Sequence, residues 1–377
     1  MTLLPWVEIN NFRGISHLRY EPKQVNLLIG RNNSGKSTIL EAIYAVLTGR
    51  GTPVFMNNER SLNRYAINVH SRNASVSSEN HQIYLYRNLD DIPEEYQSNL
   101  SDILNKILSF EGKFTIDEFL KKEILNYFVN AGRASFVVYD RELRAIYLDF
   151  PYRGSLEETA NDLMKILSKS TFPQDDVREY VFFLSHLSFI NDKADDSSNN
   201  IDLINNRDKF YFPVTEDPLE LIELDKFILE HNLLPNVERL MEDGLVYRDG
   251  DDTYFLPYSA HGTGLAVLLN LISSIRQCRD GVLLIEEPEN HMHPGYLQVF
   301  VENLMMLAKK LNVQVFMTTH SYDLIEALSR YPIDEEEENS ILISNVVSRD
   351  GEHELYNYSP SDAQKTMNQL MIDLRGT

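Results

Sequence analysis

The stretch 25-VNLLIGRNNSGKSTILEAIYAVL-47 decides how the whole chain reads. Val25 to Ile29 is an apolar run with strand composition. From Lys36, residues Ile39, Ile43 and Val46 recur at helical spacing, and the helix is expected to end near Gly49. Between strand and helix lies GRNNSGKS, Gly30 to Ser37, which fits G-x-x-x-x-G-K-[ST]. Gly30 and Gly35 let the backbone curl until its N–H groups converge on phosphate oxygens. Lys36 supplies a compact positive charge to the terminal phosphates, and Ser37 offers a hydroxyl to magnesium. The helix N-terminus adds partial positive charge. Asn32, Asn33, Ser34 and Thr38 share this turn and are further candidate contacts to ATP. A glycine-rich turn that holds no ligand is the bland alternative, and the strand before and helix after argue against it.

A phosphate loop that works on a nucleotide needs a carboxylate at the end of a neighbouring strand to hold magnesium. The stretch 283-LLIEEPENHMHP-294 supplies Glu286 for that role. Glu287 directly follows and is placed as general base or water-positioner. Adjacent residues on an extended strand point opposite ways, so the strand must end or twist here, and Pro288 helps to end it. A further apolar run, 313-VQVFMTTH-320, ends in His320, placed to hydrogen-bond the terminal phosphate or the attacking water. The catalytic set is therefore Lys36, Glu287 and His320, with Ser37 and Glu286 on the metal. An alternative gathers His291, His293 and His320 into a metal site, although H-x-H spacing fixes no third ligand.

The bulk numbers narrow the class. The 377 residues are 43% hydrophobic, enough for one large core and a second domain or long insertion. A net charge of −22 argues against a broad non-specific nucleic-acid surface, so DNA is not favoured as a partner. The single Cys278 allows no internal disulfide, which points to a reducing compartment. MTLLPWVEIN has no signal-peptide pattern, and GLAVLLNLI falls well short of the roughly 20 apolar residues of a membrane span. A cytoplasmic protein without membrane contact is expected.

Strand and helix patterns alternate at both ends of the chain, which predicts an α/β fold with a mixed, mostly parallel sheet. WVEIN joins VNLLIG at the start. GTGLAVLLNLISSI, PGYLQVFVENLMMLAKKL and SYDLIEALSR read as helices, and residues 341–359 as a hairpin turning at Asp350-Gly351. Residues 359–374 read as a closing helix capped by Ser359. Residues 1–50 and 250–377 would then be two halves of one head. Residues 51–249 would be an insertion, mixed α/β where it completes the head and mainly helical beyond it. Within it, residues 91–110, 115–129 and 217–241 read as helices, the last broken at Pro235. Residues 134–150 read as paired strands, and the polar run 192–208 as a surface loop. DEEEE, residues 334–338, reads as a solvated loop.

These motifs together resemble the ABC-type ATPases of the SMC and OLD ("overcoming lysogenization defect") group. INNFRGISHLRYEPKQVNLLIGRNNSGKSTILEAIY resembles their opening strand pair, phosphate loop and first helix, LLIEEPENHMHP their Walker B strand, and MTTHS their switch histidine. The resemblance implies that Arg13, in NFRG, approaches the nucleotide, and that Asn290 lies in a segment communicating across a dimer. YSAHGTGLAVLL stands where the family has a signature loop reaching the nucleotide of the other subunit. Ser259, Gly262 and Gly264 would make those contacts, and glycines at a helix start suit an anion. The family serine stands two residues before the glycine; here that position is Ala260, with Ser259 one further back. The resemblance thus implies ATP sandwiched between two copies of the chain. The few dozen residues after His320 are expected to leave no room for an OLD-type nuclease domain, and the middle lacks the heptads of an SMC arm. What this implies is a stand-alone ATPase controlling a separate effector, a nuclease or toxin, in antiphage defence. The alternatives are a DNA-repair ATPase of RecF or SMC type, and a scaffold that binds nucleotide with little turnover. The longer Glu286 in place of the usual aspartate allows the last.

Overall fold

The computed structural model describes residues 4–49, 66–97, 100–109, 116–130, 134–148, 156–168, 201–204, 217–331, 334–349 and 352–369. The chain opens with a hairpin, β1 (Val7–Phe12) and β2 (Ile15–Tyr20). Strand β3 (Val25–Ile29) and helix α1 (Lys36–Thr48) follow, with the phosphate loop between them. The middle supplies β4 (Asn73–Ser78), β5 (Gln82–Tyr86), α2 (Leu100–Ser109), α3 (Glu118–Asn130), β6 (Ala134–Tyr139), β7 (Glu142–Leu148) and α4 (Leu156–Ser168). Next come β8 (Ile201–Ile204), α5 (Pro218–His231), β9 (Val237–Leu240), β10 (Gly244–Asp249) and β11 (Asp252–Pro257). The last third runs α6 (Thr263–Gln277), β12 (Val282–Glu286), α7 (Pro294–Leu311), β13 (Gln314–Thr318) and α8 (Tyr322–Arg330). It closes with α9 (Glu335–Ser340), β14 (Ile341–Arg349), β15 (Glu352–Tyr358) and α10 (Pro360–Gln369).

Two six-stranded sheets carry the fold. The first has the order β15-β14-β3-β13-β12-β8; its strands run parallel except β15, which pairs antiparallel with β14. The fold is therefore α/β with a mixed sheet, and strands from the two ends of the chain share it. β3 and β13 are buried at every position, which explains their unbroken apolar runs. Side chains alternate between its two faces. Leu27, Ile285 and Met317 enter a core with α6, α7 and α8; Leu28, Leu284 and Phe316 enter another with α1. The second sheet, β2-β1-β4-β5-β6-β7, is antiparallel and adds Val7, Ile9 and Val76 to that second core. Helix α1 is thus packed between the sheets, which fixes the loop at its start. Asn26, buried at the edge of this core, meets all its demands: its amide donates to Lys23 O and Val315 O, and its oxygen accepts from Lys23 N–H and Tyr20 O–H.

Several local expectations need correction. ISHLRY is a strand of its own, so the opening has three strands where two are expected. In 217–241 the helix stops at His231, before Pro235, because Asn232 takes a left-handed conformation (φ 50°) and caps it. The segment after Pro235 is strand β9. Residues 201–204 of the expected surface loop form β8, an edge strand parallel to β12; 192–200 and 205–208 lie outside the described residues. In 91–110, short turns at Leu89–Asp91 and Glu94–Tyr96 precede the helix, which begins at Leu100. The run 334–338 is part of α9, capped by Asp334, whose carboxylate accepts from Glu337 N–H. The turn at Asp350-Gly351 lies outside the described residues, but β14 and β15 pair as expected. Ser359 caps the last helix, its hydroxyl accepting from Asp362 N–H at 3.2 Å.

Candidate nucleotide site

The phosphate loop is bent by residues in the left-handed region: Gly30 (φ 139°), Asn33 (φ 62°) and Gly35 (φ 104°). Glycine is required at position 30 on two counts. A side chain there would be strained, and its Cβ would stand 2.6 Å from Val346 O on β14. Gly35 lies under His353 of β15, whose Cδ2 would be 3.0 Å from an added Cβ. We expect Gly30→Ala to cost about 1–3 kcal/mol from the backbone alone. Chemical unfolding should show that loss together with loss of ATP binding; wild-type behaviour in both would contradict the close packing against Val346.

No side chain caps the start of α1 and no acidic residue stands in its first turn, so its first N–H groups are left to an outside acceptor. Lys36 is buried and folds back, its Nζ donating to Gly30 O and Arg31 O at 2.9 Å each. Burial holds the Lys36 ammonium below its usual range, while Glu287, Glu289 and Glu286 pull it back up. The Ser37 hydroxyl donates to Glu286 Oε1, which brings two oxygen donors to one place across 249 residues of sequence. The Ser34 hydroxyl is buried without a hydrogen-bond partner. A curled loop, a buried cation, an orphaned hydroxyl and an open helix start fit the phosphates of a nucleotide. The Ser37–Glu286 oxygens fit a hard divalent cation beside them.

β12 ends at Glu286, and Glu287 is in the left-handed region (φ 49°). This resolves the problem of two adjacent carboxylates. The backbone reverses at Glu287, its N–H donating to Thr318 O at 3.1 Å, and Pro288 then opens a short turn, Pro288–His291. A non-glycine residue in this region is strained, and such strain clusters at working sites. Glu287 Oε1 lies 2.6 Å from His320 Nε2 at the end of β13, and its Oε2 accepts from Asn290 Nδ2 at 2.9 Å. A carboxylate only accepts, so His320 carries its proton on Nε2. The pair is partly open to solvent, Glu287 being 15% and His320 36% exposed. Lys36, Ser37, Glu286, Glu287, Asn290 and His320, hundreds of residues apart, thus converge on the neighbouring ends of β3, β12 and β13.

The other expected site residues have the following surroundings. Arg13 sits at a turn with φ 51°, over the Phe12 ring, and pairs with Glu41 on α1, one turn beyond Ser37. Ser259 and Gly262 are exposed at the start of α6, and Gly262 occupies the cap position. Gly264 is buried instead; a Cβ there would stand 3.3 Å from the Tyr296 ring, so close packing of α6 on α7 accounts for it. His261 is held between Tyr247 and the Pro257 carbonyl. Nδ1–H must donate to that carbonyl (3.0 Å), so Nε2 accepts from Tyr247 O–H (2.9 Å). The histidine metal site is not supported. His293 Nδ1 accepts from Gly295 N–H as the cap of α7, and no group of three or more metal-ligating side chains occurs among the described residues. The His291 side chain lies outside them.

Three further residues border the site. His353 covers Gly35. Glu289 and Thr319 meet behind His320, with the Thr319 hydroxyl donating to Glu289 Oε1. The third carboxylate of EEPE and the threonine before the histidine were visible as letters, but not as a contact.

Residues 25–326 match the family described as "AAA domain, putative AbiEii toxin, Type IV TA system". The chain belongs to this family. It is an ATPase. Over 345 residues it is 23% identical to an ATP/GTP phosphatase of Helicobacter pylori, covering 86% of this chain and 87% of that one. It is 29% identical over 152 residues to the DNA double-strand break repair Rad50 ATPase of Archaeoglobus fulgidus, covering 38% of this chain and 16% of that protein. Among solved structures it resembles the SMC head domain from Thermotoga maritima, at 14% identity and a TM-score of 0.46, covering 95% of this chain and all of the other. Among the described residues no helix is long and apolar enough to cross a membrane.

Proposed function

We propose that this ATPase is a magnesium-dependent switch: ATP joins two copies head to head, hydrolysis parts them, and the cycle controls a separate effector in antiphage defence. The observation that carries the hydrolytic reading is the Glu287–His320 pair, 2.6 Å apart, beside Lys36 and the Ser37–Glu286 contact. Lys36 would leave the loop carbonyls for the terminal phosphates. Ser37 and Glu286 would hold magnesium, which supplies positive charge against the phosphate oxygens. Glu287 would take a proton from water as its oxygen bonds to the γ-phosphorus and the bond to the ADP oxygen breaks. His320 would keep Glu287 oriented through its Nε2–H. Exposed Ser259 and Gly262 at a helix start suit a nucleotide carried by another copy.

Light scattering tests the dimer. Glu287→Gln chain with ATP and magnesium should double in mass, and Lys36→Met should stay at the mass of the nucleotide-free protein. A mass unchanged by saturating ATP would sink the dimer reading. The effector reading draws on the family's description, which refers to a toxin–antitoxin system. It predicts that phage plating falls when the chain is expressed with its neighbouring genes and recovers with Lys36→Met. Likeness to the Rad50 ATPase favours a second reading, control of DNA ends. That reading requires hydrolysis stimulated by DNA and lost as salt rises, against a net charge of −22.

A further inference from the structure

The four-residue turn Pro288–His291 reaches both members of the Glu287–His320 pair. Asn290 donates to Glu287 Oε2 at 2.9 Å. Glu289 reaches the other member through the backbone: its Oε1 accepts from His320 N–H at 3.2 Å and from the Thr319 hydroxyl. Thr319 is fully buried, and its hydroxyl oxygen also accepts from Ser321 N–H at 2.8 Å. Ser321 in turn caps α8. A single carboxyl oxygen therefore fixes the chain directly before, at and, through Thr319, directly after His320.

We propose that Glu289 is a positioning residue for hydrolysis, holding His320 on Glu287 so that the turn Pro288–His291 sets the pair as one unit. The inference rests on the reading of Glu287 as the group that activates water. Space-filling alone does not account for a carboxyl here. The second oxygen of Glu289 is buried with no hydrogen-bond partner, which costs free energy that a leucine would not incur. Burial pushes the Glu289 carboxyl above its usual range. What the carboxyl provides in return is one acceptor, placed for both the His320 N–H and the Thr319 hydroxyl. Either neighbour's movement would shift the ring that meets Glu287, and a displacement of about 1 Å at a reacting centre can cost roughly 100-fold in rate. The turn also bears Asn290, so a subunit pressing on it would move both halves of the pair together.

The test is steady-state phosphate release and separately measured ATP affinity on the full chain. Glu289→Ala should lower kcat by about 10- to 100-fold, with KM and ATP affinity held within about 2-fold. Glu289→Gln keeps an acceptor oxygen at the same reach and should restore kcat to within about 5-fold of the parent. Thr319→Val, which keeps the shape and removes the hydroxyl, should lower kcat several-fold with KM unchanged, and it decides the matter should the alanine variant not fold. Parent-like kcat in Glu289→Ala, a Gln variant as slow as the Ala variant, or KM rising in step with the loss would each overturn the inference. Glu287→Gln separates the two levels. Full turnover in that variant removes the reading of Glu287 itself. An inactive Glu287→Gln beside a fully active Glu289→Ala removes only the role given to Glu289.

Discussion

Glu287→Gln lowers phosphate release by about 100- to 10,000-fold, the range lost with a general base, and leaves ATP binding nearly intact. The amide keeps the size and the left-handed turn at position 287 (φ 49°). It can still accept from His320 Nε2–H and, through its other end, sit beside Asn290. What it loses is the lone pair that receives a proton from water. The substitution also removes negative charge that attracts Lys36, so bound phosphates should be held at least as tightly. Single-turnover release with filter-binding of ATP measures both quantities. A rate within a few-fold of the parent would show that Glu287 is a structural partner of His320 only. A parallel fall in binding would place its effect on substrate affinity.

The parts of this site that the sequence makes visible are those where a short run of letters carries a complete physical demand. GRNNSGKS needs both glycines and a lysine at fixed spacing, and the structure uses Gly30 and Gly35 in conformations that L side chains avoid. LLIEE needs a reversal after its strand, and Glu287 provides it. Two acidic side chains in sequence thereby reach different partners: Glu286 the Ser37 hydroxyl, Glu287 the histidine.

What stays hidden depends on contacts made across the chain. IDLI lies within a polar, turn-rich run, and becomes a strand because β12, some eighty residues later, offers it an edge. VERL looks like a helix continuing past Pro235, but the helix has already ended at Asn232, and the segment pairs with β10. The β10–β11 hairpin did have a local signal, Asp249-Gly250 between runs of strand-forming residues, with Gly250 at φ 61°. Glu289 is the sharpest case. Its neighbours in sequence suggest a solvent-facing turn, while its carboxyl is fixed by Thr319 and His320, thirty residues on. Arg13 has a partner that its motif does not reveal. Its motif resembles one that approaches nucleotide, and here its charge is matched by Glu41 on the loop's own helix.

Lys36→Met separates function from stability at a single position. Charge-assisted hydrogen bonds contribute about 1.5–3 kcal/mol each, so losing an ammonium that makes two of them to the phosphates should weaken ATP binding by roughly 100-fold or more. Stability should move the other way. Lys36 is buried, and desolvation outweighs the attraction of Glu287, Glu289 and Glu286, so its pKa in the folded chain lies below 10.5. The unfolded chain then binds the proton more tightly than the folded one. This lysine therefore costs the fold stability at neutral pH, and the cost fades as pH rises from the folded pKa toward 10.5. Methionine fills a similar volume without a charge to desolvate. The nucleotide-free Lys36→Met chain should accordingly unfold at the same temperature as the parent or higher at pH 7.5, and any advantage should shrink near pH 10. With ATP present the order reverses. A ligand at 100 times its Kd stabilises the parent by about 2.7 kcal/mol, and a variant that binds 100-fold more weakly should gain no more than about 0.4 kcal/mol. Thermal unfolding with and without ATP at the two pH values reads all of this. A nucleotide-free variant clearly less stable than the parent would mean that the bonds from Nζ to Gly30 O and Arg31 O hold the loop together, and that the lysine is structural before it is functional.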